Sequence, residues 1–226
     1  MVVTYLVIRP KTSPQAGSVV GFSAPPVTQA LRVVVLRGGS TGCQPTGGCN
    51  AANYAQVLSA KEGWITTVMA QGGTGYVNGS ASTPTDDFAS RLPDVYRAKP
   101  DLVIVEGSVS DQYYSSAAVE QAAETVFTNL KAHLPNAHVV VVGPAWAGVP
   151  PANIVAVEDA VKAASAGRVA LFIDPIAQGW FAGADAALMS PDHQSPTDQG
   201  HARMAALIAA DIAQLHLQAA TSSPAT

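Results

Sequence analysis

Cysteine and charge are both scarce in this chain. Two cysteines in 226 residues cannot staple a disulfide framework, and a chain of this length buries a full hydrophobic core without disulfide or metal support. Asp, Glu, Lys and Arg together make up 12% of the residues, against 48% hydrophobic. Much of the surface must then be Ala, Gly, Ser, Thr and Gln, which suits a protein whose surface is partly covered. The twelve Lys and Arg residues are scattered singly and the net charge is −4. With no basic stripe to neutralise phosphates, nucleic-acid binding is not expected. No run approaches the ~18 continuous apolar residues of a membrane span. Met1–Ile8 is apolar, but Arg9 and Lys11 follow it instead of preceding it, the wrong order for a secretory signal.

The cysteines that are present, Cys43 and Cys49, flank a five-residue loop of turn-forming type, Gln44–Gly48. A small disulfide ring and two free thiols are both open readings. A metal site would need more ligands than this pair supplies, and neither a metal nor a cofactor is expected.

From residue 32 onwards the chain alternates. Short β-branched runs at Val33–Leu36, Trp64–Ala70, Leu102–Glu106, Val139–Val142 and Val169–Ile173 are separated by helical patterns near 50–62, 86–98, 117–133 and 152–166, with a last helix near 197–217. That pattern predicts an α/β fold, a three-layer α/β/α sandwich on a five-stranded parallel sheet with right-handed crossovers. Residues 1–31 differ: one strand-like segment, Val2–Ile8, is followed by Pro10, Pro14, Gly17, Gly21, Pro25 and Pro26. Such a segment has no core of its own and needs a sheet edge or another subunit to pair with. The expected organisation is an extended arm at 1–31, one domain at 32–217 and a tail at 218–226. The arm and tail are expected to join the protein to copies of itself or to a larger assembly.

The run Val33-Val34-Val35-Leu36-Arg37-Gly38-Gly39-Ser40 reads as a central strand turning sharply at its carboxyl end, where open α/β sheets place their ligands. Ser40 is there either a nucleophile or the N-cap of the next helix. Other loops after strands carry Gln71-Gly72-Gly73-Thr74-Gly75-Tyr76, Glu106-Gly107-Ser108-Val109-Ser110-Asp111, and Ser190-Pro191-Asp192-His193-Gln194-Ser195-Pro196-Thr197-Asp198-Gln199-Gly200-His201. A serine, N–H-rich turns and an Asp/His loop are the parts of an acyl-transfer site. Glu106 and Asp111 read as carboxylates that fix their loop. Trp64, Trp146 and Trp180 read as core or rim. Tyr113 and Tyr114 either line a pocket mouth or stand exposed at a helix start.

These four blocks, in this order, resemble the SGNH hydrolases, the GDSL esterases and lipases, across about residues 32–216. The resemblance implies a flavodoxin-like sheet and ester hydrolysis with Ser40 as nucleophile and Gly73 as an oxyanion donor. It also implies losses. Where the family carries Gly-Asp-Ser, this chain has Gly38-Gly39-Ser40. Ser110 stands where an asparagine donates to the oxyanion, and losing one such donor typically costs about 10²–10³ in turnover. Aligned on the family's Asp-x-x-His-Pro, Asp192 is the orienting carboxylate and Ser195 replaces the catalytic base. A serine cannot take the nucleophile's proton near neutral pH. His193, two residues away, is either a recruited base or a solvated loop histidine. His201 lies at an Asp-x-x-His spacing of its own, but reads as part of the final helix, with Thr197 as its N-cap.

The expectation is therefore an SGNH-fold protein that has lost efficient hydrolysis and acts as a binding or structural module. Its expected ligand is a carbohydrate or acyl group. The arm suggests a bacteriophage particle, as a capsid decoration or tail component. The alternative is an active serine esterase or acetyl-esterase with His193 or His201 as base.

Overall fold

The structure is a computed structural model that describes residues 29–39, 52–79 and 85–217. Most of the extended arm, Ser40, Cys43, Cys49 and the tail from 218 lie outside the described residues.

Five strands form one parallel sheet: β1 (Arg32–Arg37), β2 (Ile65–Ala70), β3 (Leu102–Glu106), β4 (His138–Val142) and β5 (Leu171–Ile173). Their spatial order is β2-β1-β3-β4-β5. The α-helices among the described residues are α1 (Tyr54–Glu62), α2 (Leu92–Ala98), α3 (Ser116–His133), α4 (Ala152–Ser165) and α5 (Asp198–Ala213). Alternation of side chains along each strand divides the core into two layers. Val33 and Val35 of β1 face α1 and α5, and Val34 and Leu36 face α2, α3 and α4. This is the three-layer α/β sandwich that the alternation predicts, with every strand at the predicted place.

The differences lie at the ends of elements. The first helix begins at Tyr54, where the Asn53 side chain accepts from the Ala55 N–H. The segment expected to be helical from 86 opens with a 3₁₀ turn at Ala89–Arg91. Pro93 lies in the first turn of α2, where its missing N–H is least costly. The last strand starts at Leu171, because Val169 belongs to the turn that closes α4. The final helix ends at Ala213, and Leu215 and Leu217 then pack against the core. Strand β2 lies at the sheet edge and is only partly covered, with Ile65 exposed. At the amino side, Leu31 is buried and its carbonyl accepts from the Ile65 N–H.

The chain runs from β1 to β2 on one side and then returns to β3 on the other, so the order of the strands reverses at the β1/β3 boundary. A crevice outside the carboxyl ends of strands at such a reversal is where this topology places ligands.

Candidate active site

A cavity of about 200 Å³ opens at that boundary. It is lined after β1 by Gly38 and Gly39, after β2 by Gly72 and Gly73, after β3 by Ser108 and Ser110, and by Gln194, Ser195 and Pro196 from the loop before α5. The fold thus brings Gly73, Ser110 and Ser195 together on one cavity. Gly39, whose next residue is Ser40, is in the same wall.

Each wall is held by local bonds. The turn after β2 needs a left-handed residue, and Gly73 supplies it with φ of 75°, a conformation that costs glycine little. Asn78 Nδ2 donates to the Gly73 carbonyl, and Tyr114 Oη donates to Asn78 Oδ1 at 2.9 Å. Asp111 is fully buried and accepts from the backbone N–H groups of Tyr76, Val77 and Asn78 at 2.8, 3.1 and 2.9 Å. Burial raises its carboxyl pKa, and those three donors with Ser108 oppose the rise. Asp111 is thus the loop-fixing carboxylate, joining the turn after β2 to the 3₁₀ turn at Val109–Tyr113.

The loop before α5 holds a polar pair at the cavity wall. Ser195 Oγ donates to Asp192 Oδ2 at 2.8 Å, while the N–H groups of Gln194 and Ser195 donate to Oδ1 at 2.8 and 2.9 Å. Partial burial would raise the Asp192 carboxyl, but these donors outweigh it and hold its pKa below the usual carboxylate range. Asp192 is thus a well-solvated anion by proxy, aimed at residue 195.

Neither candidate histidine lines the cavity. His193 adopts φ of 60°, its Nδ1 lies 3.2 Å from the Ala147 carbonyl, and its ring stacks on Trp146 at 5.8 Å. It is exposed and held against the loop after β4. His201 is buried in α5, held there by backbone donation to the Thr197 carbonyl, and Thr197 Oγ1 caps the helix by accepting from Gly200. Its ring stacks on Tyr54 at 6.1 Å. Burial, then the charge of Arg37, pushes its pKa down to about 4, so the imidazole is neutral in the folded protein. Trp180 is core and Tyr113 stands exposed. Among the described residues no cluster of three or more His, Cys, Asp or Glu could hold a metal ion.

Sequence reasoning missed one feature of the site. Arg37, the last residue of β1, is buried beneath Gly39 and pairs with Glu106, Nε to Oε2, at 2.9 Å. Its guanidinium also lies over the Tyr54 ring, 4.9 Å from the centroid. The available signal was a charge at the end of an apolar strand, matched by another, Glu106, at the end of a second.

The family model for the GDSL-like lipase/acylhydrolase family matches residues 38–203. A GDSL lipase of Mycobacterium tuberculosis, Rv0518, is 32% identical over 162 residues, 68% of each chain. Among solved structures, the fold is shared with LAE5, an α/β hydrolase from the metagenome of Lake Arreo, with TM-score 0.67 and 15% identity over 83% of this chain and 97% of that one. It is also shared with a family two carbohydrate esterase from Clostridium thermocellum solved with cellohexaose, with TM-score 0.64 and 15% identity over 86% and 67% of the two chains. No helix among the described residues is long and apolar enough to cross a membrane. The family match spans all the loops that build the cavity, from Gly38 to the first turns of α5: this chain belongs to the GDSL-like lipase/acylhydrolase family.

Proposed function

We propose that this protein binds an acyl or carbohydrate ester in the β1/β3 cavity and hydrolyses it poorly, serving as a binding module more than as a catalyst. The observation that carries this reading is the Ser195 Oγ to Asp192 Oδ2 bond of 2.8 Å at the cavity wall, at the position where the sequence resemblance implies an imidazole. In acyl transfer Ser40 attacks the ester carbonyl, and the oxyanion that forms is met by donors at Gly73 and Ser110. The serine proton must then leave to a base and return to the departing alkoxide. The Ser195 hydroxyl already donates to Asp192, and it has no accessible protonated state with which to shuttle that proton. Asp192 keeps its charge, so the pair retains the orienting half of the apparatus without the half that moves protons.

Turnover of p-nitrophenyl acetate tests this directly. The wild-type chain is expected to be slow. Ser195→His, which sets an imidazole beside an ionised Asp192, is expected to raise turnover by about 10² or more, the usual contribution of a positioned base. Adding Ser40→Ala should abolish the gain. Ser40-dependent hydrolysis at ordinary esterase rates in the wild type, with no increase in Ser195→His, would overturn the reading in favour of an active esterase with another base. An assembly role, in a bacteriophage particle or elsewhere, is supported by the sequences of the arm at 1–31 and of the tail at 218–226.

A further inference from the structure

Arg37 closes strand β1 after Val33-Val34-Val35-Leu36 and is as buried as they are, 2% exposed. In the parallel register its partner is Glu106, the last residue of β3, and both line the cavity at the end nearest the sheet. A buried guanidinium needs a counter-charge, and Glu106 Oε2 supplies it 2.9 Å from Nε. The pair cancels in charge without using up its hydrogen-bonding capacity. A guanidinium has five N–H donors and a carboxylate accepts at two oxygens, yet Nη1 has no hydrogen-bond partner among the described residues. Nη2 lies at the wall formed by Gly39, where a Cβ would stand 2.7 Å from it. The glycine therefore leaves this donor uncovered, and the Glu106 side chain keeps 12% of its surface exposed beside it.

We infer that this pair recognises neighbouring hydroxyl groups, and that the cavity takes the sugar portion of an ester rather than a fatty acyl chain. The inference rests on the reading of the cavity as a binding site and names what it binds. A fixed donor beside a fixed acceptor matches two adjacent alcohols, because each hydroxyl both gives and takes a hydrogen bond. An anion would meet the Glu106 carboxylate and a cation the Arg37 guanidinium, and like charges brought together away from water repel strongly. A neutral polyol meets neither penalty. The rest of the wall agrees: Ser108, Ser110 and Ser195 offer hydroxyls and Gln194 a carboxamide, whereas Val109 and Met204 are its large aliphatic side chains. Pockets for apolar ligands are lined mainly by hydrophobic and aromatic side chains, and among the described residues no aromatic ring lines this one. Its volume of about 200 Å³ is below that of sites for drug-sized ligands, which limits the buried part to about one sugar ring.

Saturation-transfer NMR titrations of the full chain test this, with the methyl glycosides of glucose, galactose, mannose and xylose as probes. Hexanoate and hexanamide serve as an anionic and a neutral acyl probe. At least one glycoside is expected to bind with a Kd of about 10 mM or tighter, and about fivefold or more tightly than either acyl probe. The apolar swap Arg37→Leu/Glu106→Leu removes both charges together, so the thermal midpoint should stay within about 5 °C of wild type. Glycoside affinity in the swap should fall about tenfold or more, as hydrogen bonds to charged groups are lost. Gly39→Ala keeps both charges but covers Nη2, and should weaken the glycoside about fivefold; it is the deciding variant if the swap does not fold. Three results would each overturn the inference: no glycoside binding below about 50 mM, an acyl probe that binds more tightly than every glycoside, or unchanged glycoside affinity in the swap or in Gly39→Ala. The slow turnover proposed above is read separately, from Ser195→His on p-nitrophenyl acetate.

Discussion

His201 shows how a residue's place decides its chemistry. Its ring lies in the layer between β1 and α5, against Tyr54, and neither ring nitrogen has a hydrogen-bond partner. An imidazole in such a setting stays neutral, and its folded pKa of about 4 against an ordinary 6.5 has a thermodynamic consequence. The unfolded chain binds a proton at this residue below pH 6.5 and the folded chain does not, so the contribution of His201 to stability is lost as pH falls from 6.5 towards 4. Between pH 7 and pH 5 the loss is about 2 kcal/mol at 1.36 kcal/mol per unit, or about 4–8 °C in a domain of this size. His201→Phe removes the proton site. Whatever its packing cost at pH 7, the difference between variant and wild-type thermal midpoints should shift in the variant's favour by about that amount at pH 5. Equal differences at the two pH values in thermal melts would show that His201 titrates normally. The helix reading of His201 came from its capping residues, whereas the histidine's isolation depends on Tyr54 and Arg37, distant in sequence. For His193 the sequence left two alternatives. The Ala147 carbonyl and the Trp146 ring, both on another loop, decide where it is held, and that was not legible.

At the scale of elements, what joins the cavity walls is Asp111 more than any strand. Its two oxygens accept three successive backbone N–H groups of the segment after β2, so the 3₁₀ turn after β3 and the turn carrying Gly73 move as one body. In Asp111→Asn one oxygen becomes an NH₂ group that faces an N–H donor, leaving at least one buried donor unpaired at about 1–3 kcal/mol and weakening the others by loss of charge. The expected cost is about 3 kcal/mol, seen as a fall of about 6–12 °C in thermal midpoint. Asp198→Asn, on the exposed first turn of α5, should cost under about 1 kcal/mol. A similar small loss in both would remove Asp111 from this role. Elements were the most legible level, since β-branched runs alternating with helical spacing leave few other folds. Their ends were less so: α1 begins where Asn53 caps it, and α2 follows a 3₁₀ turn, both choices of local hydrogen bonding that periodicity does not register. The Arg37–Glu106 pair needs the β1/β3 register, which only the assembled sheet provides.

Over the whole molecule, two buried groups in opposite layers set the pH dependence of folding. In α4, Glu158 is 5% exposed. Burial, then the hydrogen bond to Asp174 and that residue's charge, raises its pKa to about 8 from 4.5. The folded protein therefore holds a proton at Glu158 through a range in which the unfolded chain has released it. Its contribution is complete below pH 4.5 and is lost as pH rises towards 8, the reverse of His201. From about 4.5 to 6.5 the two slopes oppose each other, and stability should be nearly flat. Above 6.5 the histidine no longer contributes a slope, and stability should fall towards pH 8 through Glu158 alone, by up to about 2 kcal/mol over that interval. Below 4.5 the fall belongs to His201, joined at lower pH by Asp174 and Asp192, whose carboxyls are held below their usual range. Glu158→Gln keeps an amide to donate to Asp174 and removes the titration. Urea midpoints measured from pH 4 to 8 should then rise up to about pH 6.5 in Glu158→Gln, where His201 acts unopposed, and stay level from 6.5 to 8, where the wild type falls. A wild-type curve that rises from 6.5 to 8, or an alkaline limb that survives in Glu158→Gln, would mean that Glu158 is ionised in the fold, with its charge balanced by Lys162 across the Asp174 pair.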